Sequence, residues 1–115
     1  MGSEDLIDVP SGEKVRFYEF VNGAPGDGLT YRFRFILPTL GADGAVPDPE
    51  VTELDMAHLC HEYALPRLAT TGPKPNRIVI SLADRETEFG IANPRATEVF
   101  ESYSIEDDAC IWEAF

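Results

Sequence analysis

Basic side chains are scarce in this sequence of 115 residues, where nine Lys and Arg stand against 21 Asp and Glu. The net charge of −12 argues against binding to nucleic acid and to anionic membrane surfaces, because both require clustered positive charge. Long apolar runs are also missing, so no segment is predicted to span a bilayer. An acidic chain could imitate nucleic acid on a basic partner, but acids scattered along the chain are more typical of a solvated surface.

Catalytic and cofactor motifs are missing as well. The sequence contains no P-loop, EF-hand, C-x-x-C or G-x-S-x-G pattern. The "GDG" at positions 26–28 resembles the opening of the thiamine diphosphate fingerprint, but the Asn that completes the fingerprint is lacking. We therefore expect no cofactor and favour a non-enzymatic protein.

The length and composition predict a single domain over residues 12–115. Met1-Gly2-Ser3 is typical of an expression scar, so residues 1–11 are predicted to be a tag remnant and a flexible N-terminus. "MGSEDL" has no basic or apolar region of a signal peptide. Because a scar could have replaced a native leader, this leaves the compartment open.

Alternation of polar and apolar residues predicts the strands, and cap residues predict the helix. Asp48-Pro49 is typical of a helix start, and a helix is expected from about Glu50 to Ala64. Pro66 biases Leu65 out of the helical region, so the helix is expected to end or kink there. One helical turn is expected at Pro94–Glu98. Strands are expected at Lys14–Val21, Thr30–Leu37, Arg77–Ala83, Thr87–Ile91, Val99–Glu106 and Ala109–Phe115. The helical spacing of Ala96, Val99, Phe100 and Tyr103 keeps a helix as the alternative for Val99–Glu106. The predicted fold is α+β, with one main helix packed on a mostly antiparallel sheet of five or six strands.

The stretch "DMAHLCHEYALPRL" brings three metal-binding side chains close together in sequence. Projection of the helix places Cys60 in the middle of an apolar stripe, with His61 about 100° and His58 about 160° away from it. These three side chains therefore cannot share one ion. The outward face, which also carries Asp55, still predicts a metal site formed by His58, His61 and Glu62, for which a further ligand is not evident.

Cys60 and Cys110 are the two cysteines of the chain. An even number in a small domain permits one disulfide, and two buried free thiols are the alternative. If Ala109–Phe115 is a strand, Cys110 and Trp112 share a face, and Trp112 is predicted to be a large core residue.

Four basic residues are predicted to share one face of the first hairpin, with Tyr18 and Phe20 between them: Lys14, Arg16, Arg32 and Arg34. Guanidinium groups on one surface suit a carboxylate or phosphate ligand, so these three arginines and Tyr18 predict an anion-binding patch. The alternative is internal pairing with the surplus acidic residues.

Four stretches, "GLTYRFRFILP", "DMAHLCHEYALPRL", "RIVISLADRETEFG" and "IEDDACIWEAF", resemble a small uncharacterised family of alphaproteobacterial proteins. Members often begin with a secretory leader and carry both cysteines, so the resemblance implies an exported domain with a Cys60–Cys110 disulfide. The expected location is periplasmic or secreted if a native leader was removed, and cytoplasmic otherwise. Some members bear an acetolactate synthase label, which does not suit a chain this short without the thiamine Asn.

The biochemical activity is not evident from the sequence. The favoured hypothesis is a domain that binds another protein or a small anionic ligand. The alternative hypothesis is a metal-dependent or hydrolytic enzyme that uses the His58/His61 helix face. The oligomeric state is left open.

Overall fold

The computed structural model describes residues 6–22, 30–41, 47–71, 77–88, 91, 93–107 and 109–113. Within these residues, six strands form one sheet whose spatial order follows the chain. Only β3 and β4 run parallel to each other, and every other neighbouring pair is antiparallel. The predicted α+β class and mostly antiparallel sheet are confirmed. The strands are β1 (Leu6–Asp8), β2 (Lys14–Asn22), β3 (Thr30–Ile36), β4 (Arg77–Ala83), β5 (Glu98–Glu106) and β6 (Ala109–Glu113).

A helix connects β3 to β4, as a parallel pair of strands requires. It begins as predicted, because the Asp48 carboxylate accepts a hydrogen bond from the Glu50 N–H at 3.0 Å and Pro49 follows the cap. Helix α1 (Pro49–Leu59) is continuous with a π-helical segment (Cys60–Ala64) and with α2 (Leu65–Thr71). Among the described residues, no helix combines the length and the apolar composition that crossing a bilayer requires.

Of the two predicted outcomes at Leu65, an end or a kink of the helix, the end is wrong. The chain passes through Pro66 without leaving the helix, because the turn before it widens and the Leu65 N–H reaches back five residues to the Cys60 carbonyl. A proline within an α-helix clashes with the carbonyl four residues earlier, and a π-helical turn is one way to relieve this. The proline therefore changes the form of the helix and does not terminate it.

The helix covers one face of the sheet. Tyr63 stacks on Phe17 with ring centroids 5.2 Å apart and meets Phe35 edge-on at 5.3 Å. The core between the layers is closely packed and apolar, and includes Val15, Tyr31, Phe33, Phe35, Met56, Leu59, Cys60, Ala64, Ile78, Ile80, Leu82 and Tyr103.

A β-bulge in β2 changes which side chains share a face. The pairing with β3 shifts between Phe17 and Glu19, so the residues after the bulge exchange faces. Phe20 therefore packs against the ring of Phe33 at 5.2 Å on the helix side and not among the arginines, contrary to the prediction. Glu19 turns to the opposite face, where its carboxylate contacts Arg34.

The segment after β4 contacts the face of the sheet that the helix leaves uncovered. The Tyr18 hydroxyl donates to the Thr87 carbonyl at 3.1 Å. A strand was predicted at Thr87–Ile91, but none of its described residues is in a strand, and residues 89–90 lie outside the described part. The helical turn predicted at Pro94–Glu98 is instead a simple turn at 94–95 that leads into β5.

Residues 6–11, which were predicted to be flexible, belong to the fold. β1 pairs with β2, and Val9 is buried. Ser11 donates from its N–H and its hydroxyl to the Asp55 carboxylate, at 2.9 and 2.7 Å. Asp55 was predicted on the outward helix face but is buried, and these two hydrogen bonds compensate its loss of water.

Candidate functional site

Cys60 and Cys110 form a disulfide that joins the helix to the edge strand β6. Cys60 is fully buried, as its place in the apolar stripe predicted. The neighbouring His61 contacts the same strand: its Nε2 accepts a hydrogen bond from the Cys110 N–H at 3.1 Å, and its Nδ1 lies 3.0 Å from the Ala57 carbonyl. Two successive helix residues thus contact Cys110, one through the disulfide and one through the main chain.

The predicted metal ligands are His58, His61 and Glu62. Both ring nitrogens of His61 are engaged by the main chain, while His58 is half-buried and Glu62 is exposed. In the described part of the chain, no group of three or more His, Cys, Asp or Glu side chains is placed to hold a metal ion. His61 could bind a metal through either nitrogen only after losing a main-chain contact.

The predicted anion patch, Arg16, Arg32, Arg34 and Tyr18, lies on the face of the sheet away from the helix. Arg34 is buried, contacts the Glu19 carboxylate, donates to the Thr87 hydroxyl at 2.6 Å and lies over the Tyr18 ring. Arg16 pairs with Glu86 at 3.2 Å. Arg32 is half-buried, and its main chain lies opposite Val21 where β3 pairs with β2. The guanidinium groups of Arg16 and Arg34 therefore have carboxylate partners among the described residues, and Arg32 is not without a partner either.

A groove that the sequence did not predict lies between α1 and the β5–β6 hairpin. It has a volume of about 420 Å³. Its walls combine acidic, apolar and aromatic side chains: Glu50, Glu53, Leu54, Ala57, Tyr103 and Trp112.

Trp112 and Leu54 expose large apolar surfaces at this groove. Trp112 was predicted to be a core residue, yet it is 52% exposed, and Leu54 is 64% exposed. The indole N–H of Trp112 donates to a carboxylate oxygen of Glu101 at 2.6 Å, which holds the ring in place and fixes a negative charge beside it. Trp112 is exposed because β6 is the last strand of the sheet and because, in the described part of the chain, the helix contacts this strand at Cys110, through Cys60 and His61.

Tyr103 lines the groove and is the most unusual group in it. Its side chain is only 2% exposed, and its hydroxyl has no hydrogen-bond partner among the described residues. Burial raises the pKa of Tyr103, and the nearby carboxylates of Glu101 and Glu53 raise it further. The hydroxyl oxygen is not among the fully buried polar atoms without a partner, so it is accessible from the groove and can bond to a ligand there.

Comparison with known proteins identifies the family. A model of a family of unknown function, DUF6497, matches residues 1–115. The chain belongs to this family. No curated protein and no solved structure matches it. The description of DUF6497 assigns no activity, so the function of this DUF6497 chain has to be argued from its own side chains.

Part of the groove could have been recognised from the sequence. Glu50, Glu53, Leu54 and Ala57 are spaced i, i+3, i+4, i+7, which places them on one face of a helix. A leucine beside two glutamates on that face is the available indication of a binding surface. The contribution of Tyr103 and Trp112 depends on the position of the last hairpin relative to the helix, which spacing within a segment does not indicate.

Proposed function

We propose that this DUF6497 domain binds a segment of another protein that carries a Lys or Arg close to an apolar side chain, and that the segment binds in the groove between α1 and the β5–β6 hairpin. The observation that carries the proposal is the hydroxyl of Tyr103, which has no hydrogen-bond partner among the described residues and lines the groove beside the carboxylates of Glu53 and Glu101. A cationic group of a ligand would meet two negative charges there, and a ligand acceptor would satisfy the hydroxyl.

The chemistry of the walls supports a ligand that is both basic and apolar. A cation over the exposed Trp112 ring gains about 0.5–1 kcal/mol from the aromatic face. Each exposed ion pair to the groove carboxylates adds roughly 0.2–1 kcal/mol, and these pairs weaken in salt. Leu54 offers an apolar contact beside the charges. A small anion fits this lining poorly, and the arginine patch remains a separate prediction.

We also propose that the domain acts in the periplasm or outside the cell. The disulfide between two buried cysteines supports this, because such bonds persist in oxidising compartments and are rare in the cytosol. The proposal is tested by determining the intact mass of protein isolated from the native cells after thiol alkylation. Alkylation of both cysteines without prior reduction would contradict it.

Trp112 provides the assay for the groove, because it is the single tryptophan of the chain. The probe is the peptide acetyl-Ser-Lys-Ser-Leu-Ser amide, and the comparison peptide has Glu in place of Lys. We expect the Lys peptide to change the Trp112 fluorescence in a saturable, salt-sensitive titration and the Glu peptide to have no effect. Equal binding of both peptides would contradict the proposal.

Matched variants separate the groove from the general negative charge of the surface. Glu53→Gln and Leu54→Ala should each weaken binding of the Lys peptide by about two- to fivefold, which corresponds to the loss of one exposed contact. Glu88→Gln and Leu6→Ala remove an exposed acid and an exposed leucine elsewhere and should leave binding unchanged. If all four variants bind alike, the groove is not the site.

A further inference from the structure

We infer that the partner segment binds as an extended strand that adds to the free edge of β6 at Trp112. This inference rests on the proposed function and adds the binding mode, in which main-chain hydrogen bonds hold the segment and its alternate side chains enter the groove. β6 is the last strand in the sheet order, so one of its edges has no neighbouring strand within the described part of the chain.

Main-chain geometry shows which groups face that edge. The N–H of Cys110 donates to His61, so it points away from β5. In an antiparallel pair, successive residues alternate between facing the partner strand and facing away from it. Ile111, paired with Ser104, therefore faces β5, and the N–H and C=O of Trp112 face outward.

The two outward positions differ in their partners. The His61 imidazole accepts the hydrogen bond of the Cys110 N–H, so this N–H is not available to pair with an added strand. The N–H and C=O of Trp112 have no partner among the described residues. The open part of the edge therefore begins at the residue whose indole forms one wall of the groove.

An added strand at Trp112 has a defined side-chain pattern. Successive side chains of a strand point to opposite faces, so residues two apart in the partner lie on the same face. Side chains on the face that Trp112 shares would meet Tyr103, Glu53 and Leu54. The preferred segment thus has its basic and apolar residues at positions i and i+2.

The charge around β6 indicates a partner other than a second copy of the chain. The neighbourhood of the edge is acidic, with Glu101 at the Trp112 indole and Glu53 in the groove, whereas Glu113 at the end of the strand pairs with Arg77 at 3.4 Å. Pairing of two β6 edges would bring these acids of two chains of charge −12 together. A basic segment replaces this repulsion with attraction.

The decisive measurement is amide hydrogen exchange in the full, oxidised chain, with and without the Lys peptide described above. The Cys110 amide should exchange slowly in both states because His61 accepts its hydrogen bond. The Trp112 amide should exchange rapidly in the free protein. With free peptide at about ten times Kd, its exchange should slow by about tenfold, because only unbound molecules then exchange.

Peptide analogues test the main-chain hydrogen bonds that the peptide itself donates. Two analogues are methylated on alternate sets of amide nitrogens. Strand addition predicts that one analogue loses binding and the other retains it, since only one set of N–H groups faces β6. The isomer acetyl-Ser-Lys-Leu-Ser-Ser amide, with the two side chains adjacent, should bind more weakly than the i, i+2 peptide.

Three results would overturn the inference. A fluorescence change at Trp112 without protection of its amide would mean that side chains bind in the groove without strand addition, which leaves the proposed function intact. Protection of the Trp112 amide that grows with protein concentration in the absence of peptide would assign the edge to a second copy. Complete absence of peptide binding would remove the proposed function and the inference together.

Discussion

Opening the Cys60–Cys110 disulfide should lower the free energy of unfolding by about 4 kcal/mol. The bond spans 50 positions, and the closed loop contains the π-helical segment, α2, β4 and β5. In the chain-entropy model, closing a loop of this length removes about 14 cal/mol/K from the unfolded ensemble, which at room temperature is about 4 kcal/mol. A domain of this size is typically stable by roughly 5–15 kcal/mol, so the bond is a large share of the total.

Reduction is the most direct test, because it breaks the disulfide without replacing any residue. Urea unfolding of the oxidised and the reduced protein, followed by circular dichroism and by Trp112 fluorescence, gives the two free energies by linear extrapolation. The variant Cys60→Ala/Cys110→Ala should be at least as unstable as the reduced protein, since it also leaves space in the core beside two buried positions. A difference of less than about 1 kcal/mol between oxidised and reduced protein would refute the reasoning.

Three further outcomes are expected. Ser11→Ala should cost about 1–3 kcal/mol in urea unfolding, because the buried Asp55 carboxylate then keeps only the main-chain N–H of residue 11. Ser102→Ala should leave the protein equally stable or make it more stable by about 1 kcal/mol, since the buried hydroxyl has no partner among the described residues. The hydrogen bond from Arg85 lowers the pKa of Asp84 from its usual 3.8, so its contribution is complete above that value and is lost as the pH falls. The stability difference between wild type and Asp84→Asn should therefore shrink as the pH falls below about 4.

The local parts of the fold were predictable from the sequence. Polar–apolar alternation predicted β2 and β3, and β-branched residues predicted β4, because this information lies within each segment. The helix start at Asp48 and the burial of Cys60 followed from cap chemistry and from helical spacing for the same reason. In each case, neighbours in sequence determine the outcome.

The errors have causes that lie outside the segment concerned. β1 has three residues, too few to show an alternation of polar and apolar side chains, and its extended structure depends on pairing with β2. The bulge after Phe17 reverses the faces of Glu19 and Phe20, and alternation alone cannot place such an insertion. Trp112 is exposed because the helix does not extend over that part of β6, a property of how two elements are positioned.

One local feature connects the helix to the accessible part of the sheet edge. Pro66 lies just after the π-helical segment, and that segment begins with Cys60 and His61, the two residues that contact Cys110. The disulfide fixes the helix to β6, and the imidazole covers the outward N–H one position short of the groove. The contact of the helix with Cys110 therefore holds the helix on β6 and also determines where the open part of the β6 edge begins. On this argument, His61→Phe should leave the disulfide in place but increase exchange of the Cys110 amide, extending the open edge by one pairing position.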